Sequence, residues 1–184
     1  ISQLFSPNEV VVYNTALKYY QVPIMVEGII MMPIWSAVTE AYARGDLNWL
    51  RSAINKLNIV SCIMAVFIIG MTLISPLVYK LWMGDRVFIP YSLSIMMAAY
   101  ATINIFLAPY TSFINGIGKM KLSVRLVIIT LLFYVPLAIL FAKLFGNSAG
   151  IMCAICLLNI TGLYFQPKQL NKILNGTAKG IWNE

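Results

Sequence analysis

The chain has 184 residues, of which 60% are hydrophobic and 10% are charged, and its formal net charge is +7. Charged residues make up about 25% of a typical soluble domain. The composition therefore excludes an ordinary soluble domain and predicts an integral membrane protein. The basic excess does not indicate nucleic-acid binding, because the Lys and Arg residues lie mostly between apolar stretches, where they would face lipid head groups.

Five apolar stretches are long enough to cross a bilayer, for which a helix needs about 20 residues. They predict membrane-spanning helices over about residues 10–42, 58–80, 90–114, 122–142 and 149–166. The first stretch is longer than a bilayer requires and contains Pro23 and Pro33. We therefore expect this helix to tilt, kink or project into solvent. The predicted fold class is all-α and membrane-embedded.

A polar segment between the first two spans predicts a helix end, a turn and a new helix. Gly45 suits the left-handed residue that ends a helix, and Asp46 suits the N-cap of the next one. Apolar residues then recur at helical spacing from Leu47 to Leu57, with charged and polar residues on the other faces. This pattern predicts a short helix over about 46–57 that lies in the cytoplasmic membrane interface.

The distribution of cationic residues predicts the orientation of the chain. Nine Lys and Arg residues lie after the first, third and fifth spans, and three lie in the alternate loops. Cationic loops are preferentially cytoplasmic, so the tail over 167–184 is expected to be cytoplasmic and the first span to start outside. An exported start without a signal peptide predicts that the chain is a fragment, the C-terminal part of a longer multi-pass protein.

Glu27 is the most unusual residue of the first span. An ionisable side chain in hydrocarbon costs about 3 kcal/mol, so it usually faces a cavity or a partner. Tyr13 and Tyr20 fall on the same helical face, which predicts a stripe along a water-filled cavity. Glu27 could carry a coupling proton there or ligate a sodium ion. Alternatively, it could pair with a cation of the missing portion and only hold helices together.

The third span carries a second polar stripe, formed by Tyr100, Asn104, Thr111 and Asn115. These residues fall within about 60° of one another on a helical wheel. Pro109 interrupts the span, and broken helices at membrane depth tend to line cavities in transporters. The stripe therefore predicts cavity lining, although such side chains also serve as hydrogen-bonding contacts between helices.

Two cations are candidates for contact with an anionic head group. Lys18 lies within the first span on a different face from Glu27, and it could instead extend to the outer surface. Arg125 lies at the cytoplasmic edge of the fourth span. The chain has no His and only two Asp, so it offers little basis for acid–base catalysis, for metal binding or for a cofactor. We expect a non-enzymatic protein.

Several short motifs resemble a known family in their order and spacing. They are Tyr13-Asn14, Pro33-Ile-Trp35, the segment from Glu40 to Asp46, Leu81-Trp82, the segment from Asn115 to Lys119, and the segment from Gly180 to Asn183. With these motifs the chain resembles the C-terminal half of bacterial polysaccharide or O-antigen flippases. These belong to the MATE-like multidrug/oligosaccharidyl-lipid/polysaccharide exporter superfamily.

The resemblance implies two six-helix lobes around a central cavity, with this chain supplying five helices of the C-terminal lobe. It further implies flipping of an undecaprenyl-diphosphate-linked oligosaccharide across the bacterial inner membrane by alternating access. A cationic cavity would suit the diphosphate, and much of that charge would lie in the missing N-terminal lobe. The alternative transport function is ion-coupled export of small cationic compounds, for which Glu27 would be the natural site. A membrane glycosyltransferase and a purely structural subunit are weaker alternatives.

Overall fold

The computed structural model describes residues 7–84 and 87–184. This part of the chain is helical, and it contains no β-strand. The helices are α1 (Pro7–Ala43), α2 (Leu47–Met83), α3 (Tyr91–Ile117), α4 (Lys121–Phe145) and α5 (Ala149–Leu174), followed by a 3-10 helix over Gly180–Asn183. All five α-helices are long and apolar enough to cross a membrane, as expected of a multi-pass membrane protein.

α3 lies at the centre of the bundle, where it packs against α1, α2 and α5. α4 lies at the periphery, packs mainly against α5, and buries only Leu122, Ala138 and Ala142. The remaining surface of α4 is rich in exposed Val, Leu, Ile and Phe side chains. An apolar outer face of this kind is what a lipid-facing helix requires.

A small hydrophobic cluster joins α4 to α5, and two larger cores hold α1, α2, α3 and α5 together. One lies towards the start of α1 and α3, and its largest buried members include Tyr20, Ile68, Leu93, Met97 and Met152. The other lies towards the ends of these helices and includes Val38, Leu50, Phe113, Ile117 and Leu170. The middle of the α1–α3 interface thus lies between the two cores.

The prediction of a separate interfacial helix over 46–57 is wrong. Asp46 does cap a helix, since its Oδ1 accepts a hydrogen bond from the Trp49 backbone nitrogen at 2.9 Å. That helix continues without a break to Met83. No proline occurs between Asp46 and Pro76, and the helix also runs through Pro76. The apolar face at its start is buried in the second core and does not face lipid: Leu50, Ile54 and Leu57 pack there.

α1 covers the first predicted span, including its two prolines, whereas α5 extends beyond the end of the fifth predicted span. α1 runs through Pro23 and Pro33 as one helix of 37 residues, which makes it about 55 Å long. α5 runs through Pro167 to Leu174, so the segment over 167–184 begins as helix. The polar tail proper is therefore the short segment after Leu174.

Candidate functional site

A cavity of about 380 Å³ lies between α1 and α3, in the region that separates the two cores. Its polar lining residues are Glu27 of α1 and Asn104, Thr111, Ser112 and Asn115 of α3. Glu27 and Asn104 both lie near the middle of their helices. A cavity with five polar lining residues therefore occurs at about half the length of two otherwise apolar helices.

The spacing of the lining residues explains how two helices form this cavity. On α1 the lining residues Gly28, Met31 and Trp35 follow Glu27 at intervals of one, four and eight residues, which share one side of a helix. On α3, the lining residues from Asn104 onwards recur every three to four residues in the same way. Gly28 adds space, since a β-carbon there would meet no atom within 4 Å.

Glu27 is the most unusual group of the cavity. It is only 2% exposed, and within the described parts of the chain neither carboxylate oxygen has a hydrogen-bond partner. An unpaired carboxylate in such surroundings is costly, and a bound proton or cation removes that cost. The arrangement therefore suits reversible binding of a proton or a small cation.

Two other polar groups of the cavity wall are hydrogen-bonded, one within α3 and one to α5. The Asn104 amide nitrogen donates to the Tyr100 carbonyl oxygen at 2.8 Å within α3. The Thr111 hydroxyl donates to Gln166 Oε1 at 2.9 Å, which connects the wall to α5. These bonds fix the side-chain amide of Asn104 and the hydroxyl of Thr111, so the wall is ordered on the side opposite Glu27.

One end of the cavity is closed by direct contact between the two helices. A β-carbon on Gly116 would lie 2.9 Å from Val38 Cγ1 and 3.0 Å from the Trp35 carbonyl oxygen. The Thr39 hydroxyl of α1 also donates to the Gly116 carbonyl oxygen at 2.9 Å. Because Gly116 has no side chain, α1 and α3 can approach there and separate again towards Glu27.

The structure brings Glu27, Asn104, Thr111 and Asn115 to one cavity, but it places Tyr20 elsewhere. Tyr20 is 1% exposed and donates a hydrogen bond to Thr72 Oγ1 at 3.0 Å within the first core. It shares a helical face with Glu27, as the wheel predicts, but α2 and α3 cover that face at the level of Tyr20. Its side chain therefore belongs to the packed core.

Tyr100 and the two candidate cations also lie away from the cavity lining. Tyr100 packs against the first core, and only its carbonyl oxygen contacts the cavity wall, through Asn104. Lys18 and Arg125 have exposed side chains on α1 and α4. Glu27 is thus the one charged side chain among the described residues that line the cavity.

Several contributors to the cavity, including the polar Ser112 of α3, were not predicted from the sequence. Gly28 and Trp35 lie on the Glu27 side of α1, and Gln166 reaches the wall from α5. Extending the helical wheel from Glu27 towards the end of α1 would have found Trp35. In the described chain, no group of three or more His, Cys, Asp or Glu could hold a metal ion. A sodium ion would therefore need amide, hydroxyl or carbonyl oxygens beside Glu27.

Comparisons with known proteins assign no family to the chain. No protein-family model, curated protein or solved structure matches it. A functional proposal consequently rests on the apolar helices, the buried carboxyl group and the sequence motifs described above.

Proposed function

We propose that this chain is part of a membrane transporter that flips an undecaprenyl-diphosphate-linked oligosaccharide across the bacterial inner membrane by alternating access. One observation supports transport above all, namely that the buried Glu27 carboxylate has no hydrogen-bond partner among the described residues and lies in a cavity between apolar helices. Ionisable groups at membrane depth are rare and usually mark a transport pathway. The substrate class comes from the motifs that resemble oligosaccharide flippases.

In this proposal Glu27 binds the coupling ion and does not contact the substrate diphosphate. A carboxylate would repel a diphosphate, whereas it attracts a proton or a sodium ion. Binding of that ion changes the charge of the cavity, and a change in charge can shift the balance between two transporter conformations. The cationic side chain that binds the diphosphate would belong to a second, N-terminal lobe or to the cytoplasmic end of the bundle, where Arg125 lies.

The volume of the cavity fits a substrate pathway that this chain forms together with helices outside it. About 380 Å³ is enough for a small ligand, since such pockets measure about 300–1,000 Å³, but it is small for a lipid-linked oligosaccharide. We infer that this chain supplies five helices of a six-helix lobe and that one further helix completes this lobe. The lobe forms one wall of the substrate pathway, and its C-terminus is cytoplasmic. The same orientation places the cationic ends of α1, α3 and α5 at the cytoplasmic leaflet.

Export of a small cationic compound is the second candidate function. It is favoured by the absence of any cation among the described lining residues and by the single carboxyl group. In that case Glu27 would contact the organic cation directly, and protons would compete with it.

The test is transport by the purified complete transporter in proteoliposomes, with an imposed proton or sodium gradient. Two substrates are compared, a fluorescent prenyl-diphosphate oligosaccharide and a fluorescent organic cation. We expect gradient-driven flipping of the former, and Glu27→Gln should abolish the gradient dependence while protein yield stays unchanged. Glu40→Gln is the matched control, because Glu40 is an exposed acid of α1 that pairs with Arg44. Transport of the organic cation alone would replace the first function by the second.

A further inference from the structure

A second cavity, of about 450 Å³, lies at the C-terminal end of α5, away from Glu27. It combines aromatic rings with lysines: its lining residues are Tyr164, Phe165, Lys168, Asn171, Lys172 and Trp182. Tyr164 to Lys172 belong to the last turns of α5, and Trp182 belongs to the 3-10 helix. We call this cavity the α5 pocket.

Both lysines of the α5 pocket are positioned by aromatic rings. Lys168 Nζ lies 3.6 Å from the centroid of the Tyr164 ring, and Lys172 Nζ lies 4.0 Å from that of the Trp182 ring. A cation over an aromatic face is attracted to it and loses mobility. An ammonium group has three donors, so each lysine can still bind an anion on its other side. The pocket thus brings two positive charges together beside aromatic rings.

The tail that carries Trp182 is anchored by a buried polar side chain. Gln169 is fully buried, and its amide nitrogen donates to the Lys119 carbonyl oxygen at 2.9 Å and to the Trp182 carbonyl oxygen at 3.4 Å. Lys119 in turn donates from Nζ to the Asn183 carbonyl oxygen at 2.8 Å. These contacts hold the 3-10 helix against α5 and build the aromatic wall of the pocket.

An apolar track on α5 leads into the pocket. Leu157 and Ile160 are exposed and precede Tyr164 on the same helical face, which then continues to Lys168. An apolar strip that ends in two cations and aromatic rings matches the shape of a phospholipid, with an acyl chain beside the strip and a phosphate beside the cations. The described lining contains no acid. Glu184, an acid of the tail, pairs with Lys121 at 2.8 Å.

We propose that the α5 pocket binds the head group of an anionic membrane phospholipid, with its phosphate between Lys168 and Lys172 and its acyl chain along Leu157 and Ile160. This site is independent of the transport cavity and of the function proposed for it. The bound lipid would fix the tail, and with it the start of α4 and the end of α5, to the head-group region of one leaflet.

The test measures quenching of Trp182 by brominated lipids in vesicles of phosphatidylcholine. Trp35, Trp49 and Trp82 are replaced by Phe, so that Trp182 is the only one left of the four tryptophans. We expect a small fraction of brominated phosphatidylglycerol to quench Trp182 more than the same fraction of brominated phosphatidylcholine. Each lysine near an anionic lipid contributes about fivefold in affinity, so Lys168→Gln with Lys172→Gln should remove the preference.

Two controls separate the pocket from general surface charge. Lys179→Gln removes a lysine of the same tail that does not line the pocket, and it should retain the preference. Lys168→Arg with Lys172→Arg keeps both charges and should also retain it. Equal quenching by the two brominated lipids, or an unchanged preference in the double glutamine variant, would overturn the proposal. If glycerol phosphate in solution abolishes the preference for brominated phosphatidylglycerol, the pocket binds a free phosphate compound and not a membrane lipid.

Discussion

Gly116 of α3 faces Val38 of α1 so closely that a β-carbon on the glycine would lie 2.9 Å from the valine Cγ1. The contact lies beside the Trp35 carbonyl oxygen, just beyond Asn115 at the end of the cavity. Together with Tyr20 and its core at the other end, it defines the limits of the cavity. The shape of the candidate site therefore depends on a residue that does not line it.

Gly116→Ala is expected to destabilise the bundle by about 1–3 kcal/mol, which is typical of overpacking. Rotation of Val38 can relieve one close contact, but the Trp35 carbonyl oxygen belongs to the backbone and cannot rotate away. Denaturant unfolding in detergent micelles measures the change. Gly70→Ala is the control, because a β-carbon there meets no atom within 4 Å, and it should be neutral or stabilise by up to about 1 kcal/mol. Equal effects of the two substitutions would contradict the close contact.

Gly28→Leu is expected to fill the cavity without unfolding the bundle, since a side chain at Gly28 extends from open space in the lining. The readout is the rate at which a thiol reagent modifies a cysteine placed at Asn104, after the three native cysteines have been replaced. Leu should slow this rate markedly, whereas Gly28→Ala should change it little. An unchanged rate with Leu would show that the glycine does not control access to Asn104.

Much of the fold could be predicted from the sequence, because runs of apolar residues directly determine which segments can be membrane helices. The five α-helices agree with the five predicted stretches, although each extends beyond its apolar part. The predicted interfacial helix failed for a physical reason. An apolar face such as that of Leu50, Ile54 and Leu57 can pack against lipid or against protein, and one sequence does not distinguish the two.

The candidate site was predictable in part. Polar side chains that stand alone in apolar helices, such as Glu27 and Asn104, are recognisable without a structure. Which of them share a cavity depends on the level at which neighbouring helices pack, and this separates Tyr20 from Glu27 although both lie on one face. The α5 pocket depends on contacts between Gln169 and the distant tail, so spacing along the chain did not reveal it.

The proposed orientation predicts opposite labelling of the two ends of α2. Asn48 lies in the exposed first turn of α2, and Phe88, which is 84% exposed, lies just after its other end. With the native cysteines replaced, Asn48→Cys should be protected from an impermeant thiol reagent in intact cells, and Phe88→Cys should react. Permeabilised cells provide the control, because both positions should then react. Reaction at Asn48 and protection at Phe88 in intact cells would reverse the orientation.

We expect acid to weaken the docking of the tail against Lys121 by protonating the Glu184 carboxylate. Lys121 Nζ donates a hydrogen bond to Glu184 Oε2 at 2.8 Å, and this bond, followed by the charges of Lys121, Arg125 and Lys119, lowers the pKa of that carboxyl group. Because the folded state binds this proton more weakly than the unfolded state, the carboxylate stabilises the docked tail above the usual glutamate pKa of about 4.3. The stabilisation is lost as the pH falls below that value and through the lowered pKa.

Fluorescence of Trp182, measured in the chain that has no other tryptophan, follows the release of the tail. We expect its emission to shift between about pH 4.3 and lower pH as the Glu184 carboxylate becomes protonated. Glu184→Gln should remove this part of the titration, because glutamine carries no ionisable proton there, and its emission at neutral pH should already resemble that of the chain with Glu184 in acid. If Glu184→Gln retains the same acid-induced shift, another group controls the tail.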